Sequence, residues 1–147
     1  MGSLYGAETH AIDQKGRVAI PARIRRSVSP EAHETFVVTP GLDGCLALYP
    51  LDEWRQTDER LRGLPAGDER ARRFKRMLLV NAADVQVDAQ GRVTLPGKLM
   101  GLAGLKKEAL VLGMVDHIEI WDPERFEKKT LGGDGSSLED LAKDYLS

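Results

Sequence analysis

The sequence predicts an α+β fold, mainly β, in which two tandem half-units close on one core. The main observation is an internal repeat, because residues 13–24 return 75 positions later as residues 88–99, with five of the twelve positions identical. Random pairing at ordinary residue usage matches about one position in sixteen, so the chain carries a tandem duplication. Each repeat is too short to bury its own apolar face, which predicts that both repeats share one core.

Size and composition agree with this prediction. The chain has 147 residues, 41% of them hydrophobic, which suits one domain or two interlocked halves. No stretch approaches about 18 apolar residues and no signal-peptide pattern is present, so we expect a soluble cytoplasmic protein without membrane contact. The single cysteine, Cys45, excludes an intrachain disulfide. Its apolar neighbours favour a small core residue over a nucleophile.

The repeated segment has the pattern of a strand, a turn and a second strand. Its Asp-x-x-Gly-Arg-Val motif predicts a turn in which Asp accepts hydrogen bonds from turn amides and Gly adopts a positive φ. The motif residues are Asp13, Gly16 and Arg17 in the first repeat and Asp88, Gly91 and Arg92 in the second. Val18 and Ile20 share one strand face, so Arg17 is expected on the outer face. Pro21 and Pro96 end the strands and suit the first turn of a helix.

The remainder of each repeat predicts two more strands and a helix. The strands are expected at 36–39 and 46–49 around a turn at 41–44, and at 109–112 and 118–121 around Asp116-His117. Helices are expected from Asp52 to about Leu61 and from Asp122 onward, because acidic residues occupy their first turns.

Three further segments complete the chain. An amphipathic helix from Asp68 to about Val80 is expected to bury Ala71, Phe74 and Leu78. Residues 132–136 form a glycine-rich joint, and a short helix beyond it would dock Leu138, Leu141 and Tyr145 on the body or on a neighbour. We therefore divide the chain into a first repeat (1–66), a second repeat with its preceding helix (67–131), and a linker with a C-terminal helix (132–147).

Positive charge accompanies the repeated turns, although the net charge of the chain is −2. Residues 1–30 carry five basic and two acidic side chains, and residues 67–100 carry seven and four. The segments 31–66 and 101–147 each have a net charge of −4. Such local fields can steer DNA toward a mildly acidic protein.

Several motifs together resemble the MraZ family of bacterial transcriptional regulators, which is related to the AbrB-type swapped-hairpin DNA binders. Besides the two Asp-x-x-x-Arg motifs, the resemblance rests on residues 41–50, Trp54, 71–74 and 120–125. It implies a double-split (swapped-hairpin) β-barrel with flanking helices, and homo-oligomeric rings of roughly eight to twelve subunits. It further implies a repressor that binds repeated boxes in double-stranded DNA upstream of the division and cell-wall gene cluster, its own gene included, and that associates with the nucleoid.

The resemblance assigns DNA contact to motif residues of both turns: Asp13, Lys15, Gly16, Arg17, Asp88, Gly91 and Arg92. Two departures from the family are visible. Leu4 replaces an early aromatic residue, and Met100 stands where the second repeat usually has an arginine, at the position aligned with Arg25. From the sequence we expect the second repeat's helix to contribute less positive charge, and Arg92 to matter less than Arg17.

Other interpretations remain beside DNA binding. Asp13 and Arg17 could simply staple their turn, and the basic run 70–76 favours a solvated helix face or a subunit interface over phosphate contact. The alternative function is a protein-binding assembly or antitoxin-like module with incidental DNA binding. The three histidines show no metal-ligand spacing and no catalytic arrangement is apparent, so we expect neither an enzyme, a metal, a cofactor nor a small-molecule substrate.

Overall fold

The computed structural model describes residues 2–146, and Met1 and Ser147 lie outside the described residues. The first repeat contains β1 (Ala7–Ala11), β2 (Arg17–Ala19), α1 (Ala22–Ser27), β3 (Thr35–Pro40), β4 (Leu46–Pro50) and α2 (Leu51–Arg62). Helix α3 (Glu69–Leu79) precedes the second repeat, which contains β5 (Ala83–Gln86), β6 (Arg92–Thr94), α4 (Gly97–Leu102), β7 (Glu108–Gly113), β8 (Ile118–Trp121) and α5 (Pro123–Phe126). A π-helical segment (Glu127–Gly132) and α6 (Leu138–Tyr145) follow.

The strands of the two repeats are interleaved. An antiparallel six-stranded sheet has the order β1-β7-β8-β4-β3-β5, and β2 pairs with β6 in a separate two-stranded sheet. The first strand of each repeat therefore pairs with the third strand of the other repeat, β1 with β7 and β5 with β3. This confirms the predicted α+β, mainly β swapped-hairpin barrel with flanking helices.

The core lies between the two sheets and takes side chains from both repeats. Val18 and Val93 face each other across the β2–β6 pair, and both are buried. Around them pack large buried side chains from the six-stranded sheet and from α1 and α4, among them Ile24, Phe36, Leu46, Leu99, Val111, Ile118 and Ile120. Each such side chain stabilises the fold by about 1.5–3 kcal/mol when fully buried. The shared core predicted from the repeat is confirmed.

Most element boundaries agree with the sequence prediction to within two residues, and the prolines differ in role. Pro21 and Pro96 occupy the N-cap positions of α1 and α4, with extended ψ angles of 136°. They therefore lie one residue before the helices and not in the first turn. Asp68 caps α3 through hydrogen bonds from the backbone N–H groups of Arg70 and Ala71, which explains why that helix begins where the sequence indicates.

The predicted burial of the α3 apolar face is wrong for a single chain. No residue of α3 is buried: of the three predicted residues, Ala71 and Leu78 are half-buried and Phe74 is 51% exposed. Met77 and the C-cap residue Val80 are 63% and 74% exposed. The core is already filled by the sheets and the short helices, so amphipathicity alone did not identify what covers this face. The C-terminal helix α6 is exposed in the same way, so it does not dock on the body.

Arg125 ties the two repeats together. Its Nη1 atom donates hydrogen bonds to the carbonyl oxygens of Gly44 in the first repeat (2.9 Å) and Leu102 in the second (3.2 Å). A Cβ atom at Gly104 would lie 2.7 Å from Nη2 of Arg125, so this glycine makes room for the guanidinium. The side chain thus joins segments 81 and 23 residues away in sequence.

Cys45 is buried, as predicted, and its thiol donates to the carbonyl oxygen of Leu42 at 3.2 Å. Burial, with the nearby Glu119 carboxylate as a smaller cause, raises the pKa of the Cys45 thiol to about 12.

Among the helices of residues 2–146, none combines the length and the apolar character that crossing a bilayer requires.

Candidate nucleic-acid interface

The first motif forms a closed turn, which we call turn 1 (residues 13–17). The backbone N–H of Asp13 donates to the Arg17 carbonyl (3.1 Å), and the N–H of Gly16 donates to the Asp13 carbonyl (3.0 Å). Oδ1 of Asp13 accepts from the backbone N–H groups of Lys15 and Arg17, each at 2.9 Å, and Oδ2 accepts from Nε of Arg17 at 2.5 Å. Gly16 has φ +79°, a conformation that favours glycine.

The second motif repeats this geometry in turn 2 (residues 88–92). Oδ1 of Asp88 accepts from the backbone N–H groups of Gln90 (2.8 Å) and Arg92 (2.9 Å), and Oδ2 accepts from Nε of Arg92 at 3.1 Å. Gly91 has φ +79°, identical to that of Gly16. In both turns one carboxylate therefore organises the backbone and also orients the arginine of its own turn.

The two turns lie side by side and form one surface. The backbone N–H of Leu95 donates to the Gly16 carbonyl and that of Ile20 donates to the Gly91 carbonyl, both at 2.9 Å. Nη1 of Arg92 also lies 3.8 Å from Oδ2 of Asp13, an ion pair between the turns. The side chains of Arg17 and Arg92 are 32% and 27% exposed, so both can be reached from solvent.

Backbone amides hold both carboxyl groups in the ionised form. The hydrogen bond from the backbone N–H of Arg17 is the largest cause that lowers the pKa of Asp13, and partial desolvation opposes it. The backbone N–H of Arg92 lowers the pKa of Asp88 in the same way. Both aspartates are therefore negatively charged near neutral pH and can hold a guanidinium in place.

Each turn is supported by a helix of the other repeat, a contact that was not predicted from the sequence. A Cβ atom on Gly91 would lie 2.6 Å from Cζ of Arg25, which belongs to α1 of the first repeat. A Cβ atom on Gly16 would lie 3.3 Å from Sδ of Met100, which belongs to α4 of the second repeat. The departure at Met100 therefore affects turn 1, whereas the sequence led us to assign its effect to the second repeat.

Open clefts with different side chains flank the two turns. The cleft beside turn 1 has a volume of about 460 Å³, and its charged lining residues are Asp13, Lys15, Lys106 and Lys107. The cleft beside turn 2 has a volume of about 600 Å³, and its ionisable lining residues are Arg25, Arg26, His33, Glu34 and Asp88. Lys106 and Lys107 were not predicted from the sequence as site residues. The feature that could have identified them is their position directly before β7, the strand that pairs with β1.

Metal ligation has no structural support within residues 2–146, where no three His, Cys, Asp or Glu side chains gather to hold an ion. Two of the histidines have side-chain partners of other kinds. Nδ1 of His117 lies 2.7 Å from Asp116, and its ring stacks on Tyr49 with centroids 4.9 Å apart. Nε2 of His10 lies 2.9 Å from Glu8.

Comparison with known proteins agrees with this architecture. The family described as "MraZ protein, putative antitoxin-like" matches residues 4–77 and again residues 78–132. The chain is 43% identical to the transcriptional regulator MraZ of Thermomicrobium roseum over 135 residues, which is 90% of this chain and 92% of the relative.

Two further relatives carry the same name. The protein of Lachnoclostridium phytofermentans is 45% identical over 125 residues (85% of each chain). The protein of Acetivibrio thermocellus is 39% identical over 139 residues (95% of this chain and 94% of the relative). Each of the two ranges that match the family contains one of the duplicated turns. The chain therefore belongs to the MraZ family of transcriptional regulators.

Proposed function

We propose that this protein is a sequence-specific DNA-binding repressor and that the paired turns are its DNA contact. The observation that carries the proposal is the juxtaposition of two Asp-x-x-Gly-Arg turns whose arginines are each held by an aspartate on an accessible surface. The contacting residues are those of the two motifs: Asp13, Lys15, Gly16, Arg17, Asp88, Gly91 and Arg92.

Arginine suits this task because its planar guanidinium can make a bidentate pair with a guanine edge or grip a phosphate. The Asp13–Arg17 hydrogen bond fixes the position of Nε before DNA arrives, which lowers the ordering cost of binding. An exposed ion pair alone stabilises a fold by only about 0–1 kcal/mol, which gives little reason to build the motif twice. Surrounding lysines, Lys15 among them, would contact phosphates and set the position of the protein on the duplex.

The protein acts, in this proposal, as a homo-oligomeric ring of roughly eight to twelve subunits, a size in keeping with closed head-to-tail symmetry. The exposed apolar faces of α3 and α6 support self-association, because Phe74 and Met77 of α3 and Tyr145 of α6 are each more than half exposed in one chain. Native mass spectrometry tests this point. A single high-order species is expected, and a concentration-independent monomer would contradict the ring.

The DNA target in this proposal is a set of repeated boxes upstream of the division and cell-wall gene cluster that includes the protein's own gene. The protein would work in the cytoplasm at the nucleoid, without catalysis, cofactor or small-molecule substrate. One duplex would touch a few adjacent subunits, because B-DNA is stiff over about 150 base pairs.

An electrophoretic shift with the chain's own upstream region tests the function. The native sequence is expected to shift at lower protein concentration than a scrambled duplex of equal length and composition. Equal affinity for both duplexes would favour the second candidate, a protein-binding or antitoxin-like module. The observation in favour of that candidate is α6, an exposed amphipathic helix with Leu138, Leu141 and Tyr145 unburied.

A further inference from the structure

We propose that Arg25, a residue of the first repeat, belongs to the DNA contact of turn 2 and grips a phosphate next to the base contacted by Arg92. Turn 1 has Met100 at the equivalent place, so the two turns are unequal and turn 2 is the stronger contact. This inference rests on the proposed DNA-binding function and adds to it a residue, a ligand group and an asymmetry.

Arg25 is held in place by its own repeat. Its Nε atom donates to the carbonyl oxygen of Ile20 at 2.9 Å. The guanidinium lies over Gly91, where a Cβ atom would be 2.6 Å from Cζ and 2.9 Å from Nη2. The absence of a side chain at Gly91 therefore lets this arginine lie directly on turn 2, and its single backbone hydrogen bond leaves the terminal nitrogens available to a ligand.

The charge of Arg25 is not compensated by a close acid. Within residues 2–146, no carboxylate oxygen lies within 4.0 Å of its nitrogens, whereas Arg92 pairs with Asp88 at 3.1 Å and reaches Asp13 at 3.8 Å. The two arginines thus differ in chemistry. Arg92 is oriented by two carboxylates, which suits recognition of a base edge, and Arg25 presents a full positive charge, which suits a phosphate.

Turn 1 lacks the corresponding group. Sδ of Met100 occupies the place beside Gly16, 3.3 Å from where its Cβ would be, and a thioether carries no charge. The cationic residues nearby are Lys15, Lys106 and Lys107, whose ammonium groups act as point charges without bidentate geometry. A nearly symmetric pair of turns would therefore read an asymmetric box, with the tighter half under turn 2.

The test is an exchange of the two side chains in the full-length protein. Arg25→Met should lower affinity for the native upstream duplex about tenfold and reduce the slope of log K against log salt by about one phosphate contact. Met100→Arg should raise affinity and increase that slope by a similar amount. Arg60→Met, on the exposed surface of α2, is the control for loss of one positive charge and should bind as the wild type does.

A second measurement separates contact with DNA from support of the turn. Single methylphosphonate replacements remove the charge of one phosphate at a time. At one phosphate in the half-site bound by turn 2, the replacement should lower the DNA affinity of the wild type about tenfold. The same replacement should leave the affinity of Arg25→Met unchanged, because this variant no longer has the guanidinium that contacts that phosphate. A loss of equal size in both proteins at every position would show that Arg25 only shapes the turn, and would overturn the proposal.

The outcomes distinguish this inference from the function on which it rests. If Arg17→Ala and Arg92→Ala lose binding while folded Arg25→Met binds normally, the role of Arg25 is wrong and DNA recognition by the turns stands. If the wild type does not prefer its upstream duplex over the scrambled one, both proposals are wrong. Circular dichroism and thermal melting of each variant establish that it is folded.

Discussion

Nη1 of Arg92 lies 3.8 Å from Oδ2 of Asp13, so the arginine of one turn reaches the carboxylate of the other. Asp13 also accepts from Nε of its own Arg17 at 2.5 Å. The reciprocal pair, Arg17 with Asp88, is not among the ion pairs of the described residues. The two turns thus form one coupled unit that departs from two-fold symmetry, and their variants should not behave additively.

Replacement of either turn arginine by alanine should weaken specific DNA binding by about 1–3 kcal/mol and flatten its salt dependence, because a bidentate contact is lost. We expect Arg92→Ala to cost at least as much as Arg17→Ala, since Arg25 lies on turn 2. Fluorescence anisotropy at several salt concentrations measures both effects. A larger loss for Arg17→Ala would restore the order expected from the sequence alone, and normal binding by both folded variants would refute the site.

Binding should depend on the number and phase of the boxes, because a ring presents many turns and converts weak contacts into avidity of about 100-fold or more. Boxes spaced by about 10 base pairs face the same side of the duplex. We expect weak binding to one box, strong binding to three or four, and a sharp loss when about five base pairs are inserted between neighbours. Equal affinity for one box and for four would mean that each subunit binds alone.

Asp13→Asn should destabilise the protein most near neutral pH. The folded-state pKa of Asp13 is lowered below its ordinary value of 3.8, chiefly by the backbone N–H of Arg17. The ionised form therefore stabilises the fold above pH 3.8, and this contribution is lost as pH falls through the folded-state pKa.

The measurement is urea unfolding of the wild type and of Asp13→Asn between about pH 6 and about pH 3, the range over which a lowered carboxyl pKa has its effect. The difference between the two unfolding free energies should shrink toward the acid end. Asp144→Asn, on exposed α6, is the matched control for the replacement of an aspartate by asparagine. A difference that stays constant with pH would contradict the charged role of Asp13.

Arg125→Met should destabilise the fold by about 1–3 kcal/mol, because the carbonyl groups of Gly44 and Leu102 lose a charged donor. Gly104→Ala should act in the same direction, since φ at this residue is +67° and the new methyl would displace the guanidinium. Chemical denaturation measures both changes. Arg62→Met, which removes an exposed ion pair with Asp58, should change the stability much less than Arg125→Met does.

Much of the fold could be predicted from local sequence features. Turn geometry at Gly16 and Gly91 followed from residue identity, because a positive φ and an Asp-backed turn are properties of four or five adjacent residues. The contact between Arg25 and Gly91 could not be obtained in this way, because it joins residues far apart in sequence through the exchange of strands. The predicted burial of the apolar face of α3 was wrong for a related reason, because periodicity reveals an apolar face but not the molecule that covers it.

The exchange of strands also determines how early in synthesis the first strand can find its pairing partner. β1 (Ala7–Ala11) has its pairing partner in β7 (Glu108–Gly113), so its backbone groups stay unpaired until the ribosome has added roughly a hundred more residues. At about 5–20 residues per second this wait lasts roughly 5–20 seconds. During that interval β3 and β4 also lack the second-repeat strands that pair with them in the fold, β5 and β8. Unpaired apolar strands of this kind make a folding intermediate prone to aggregation.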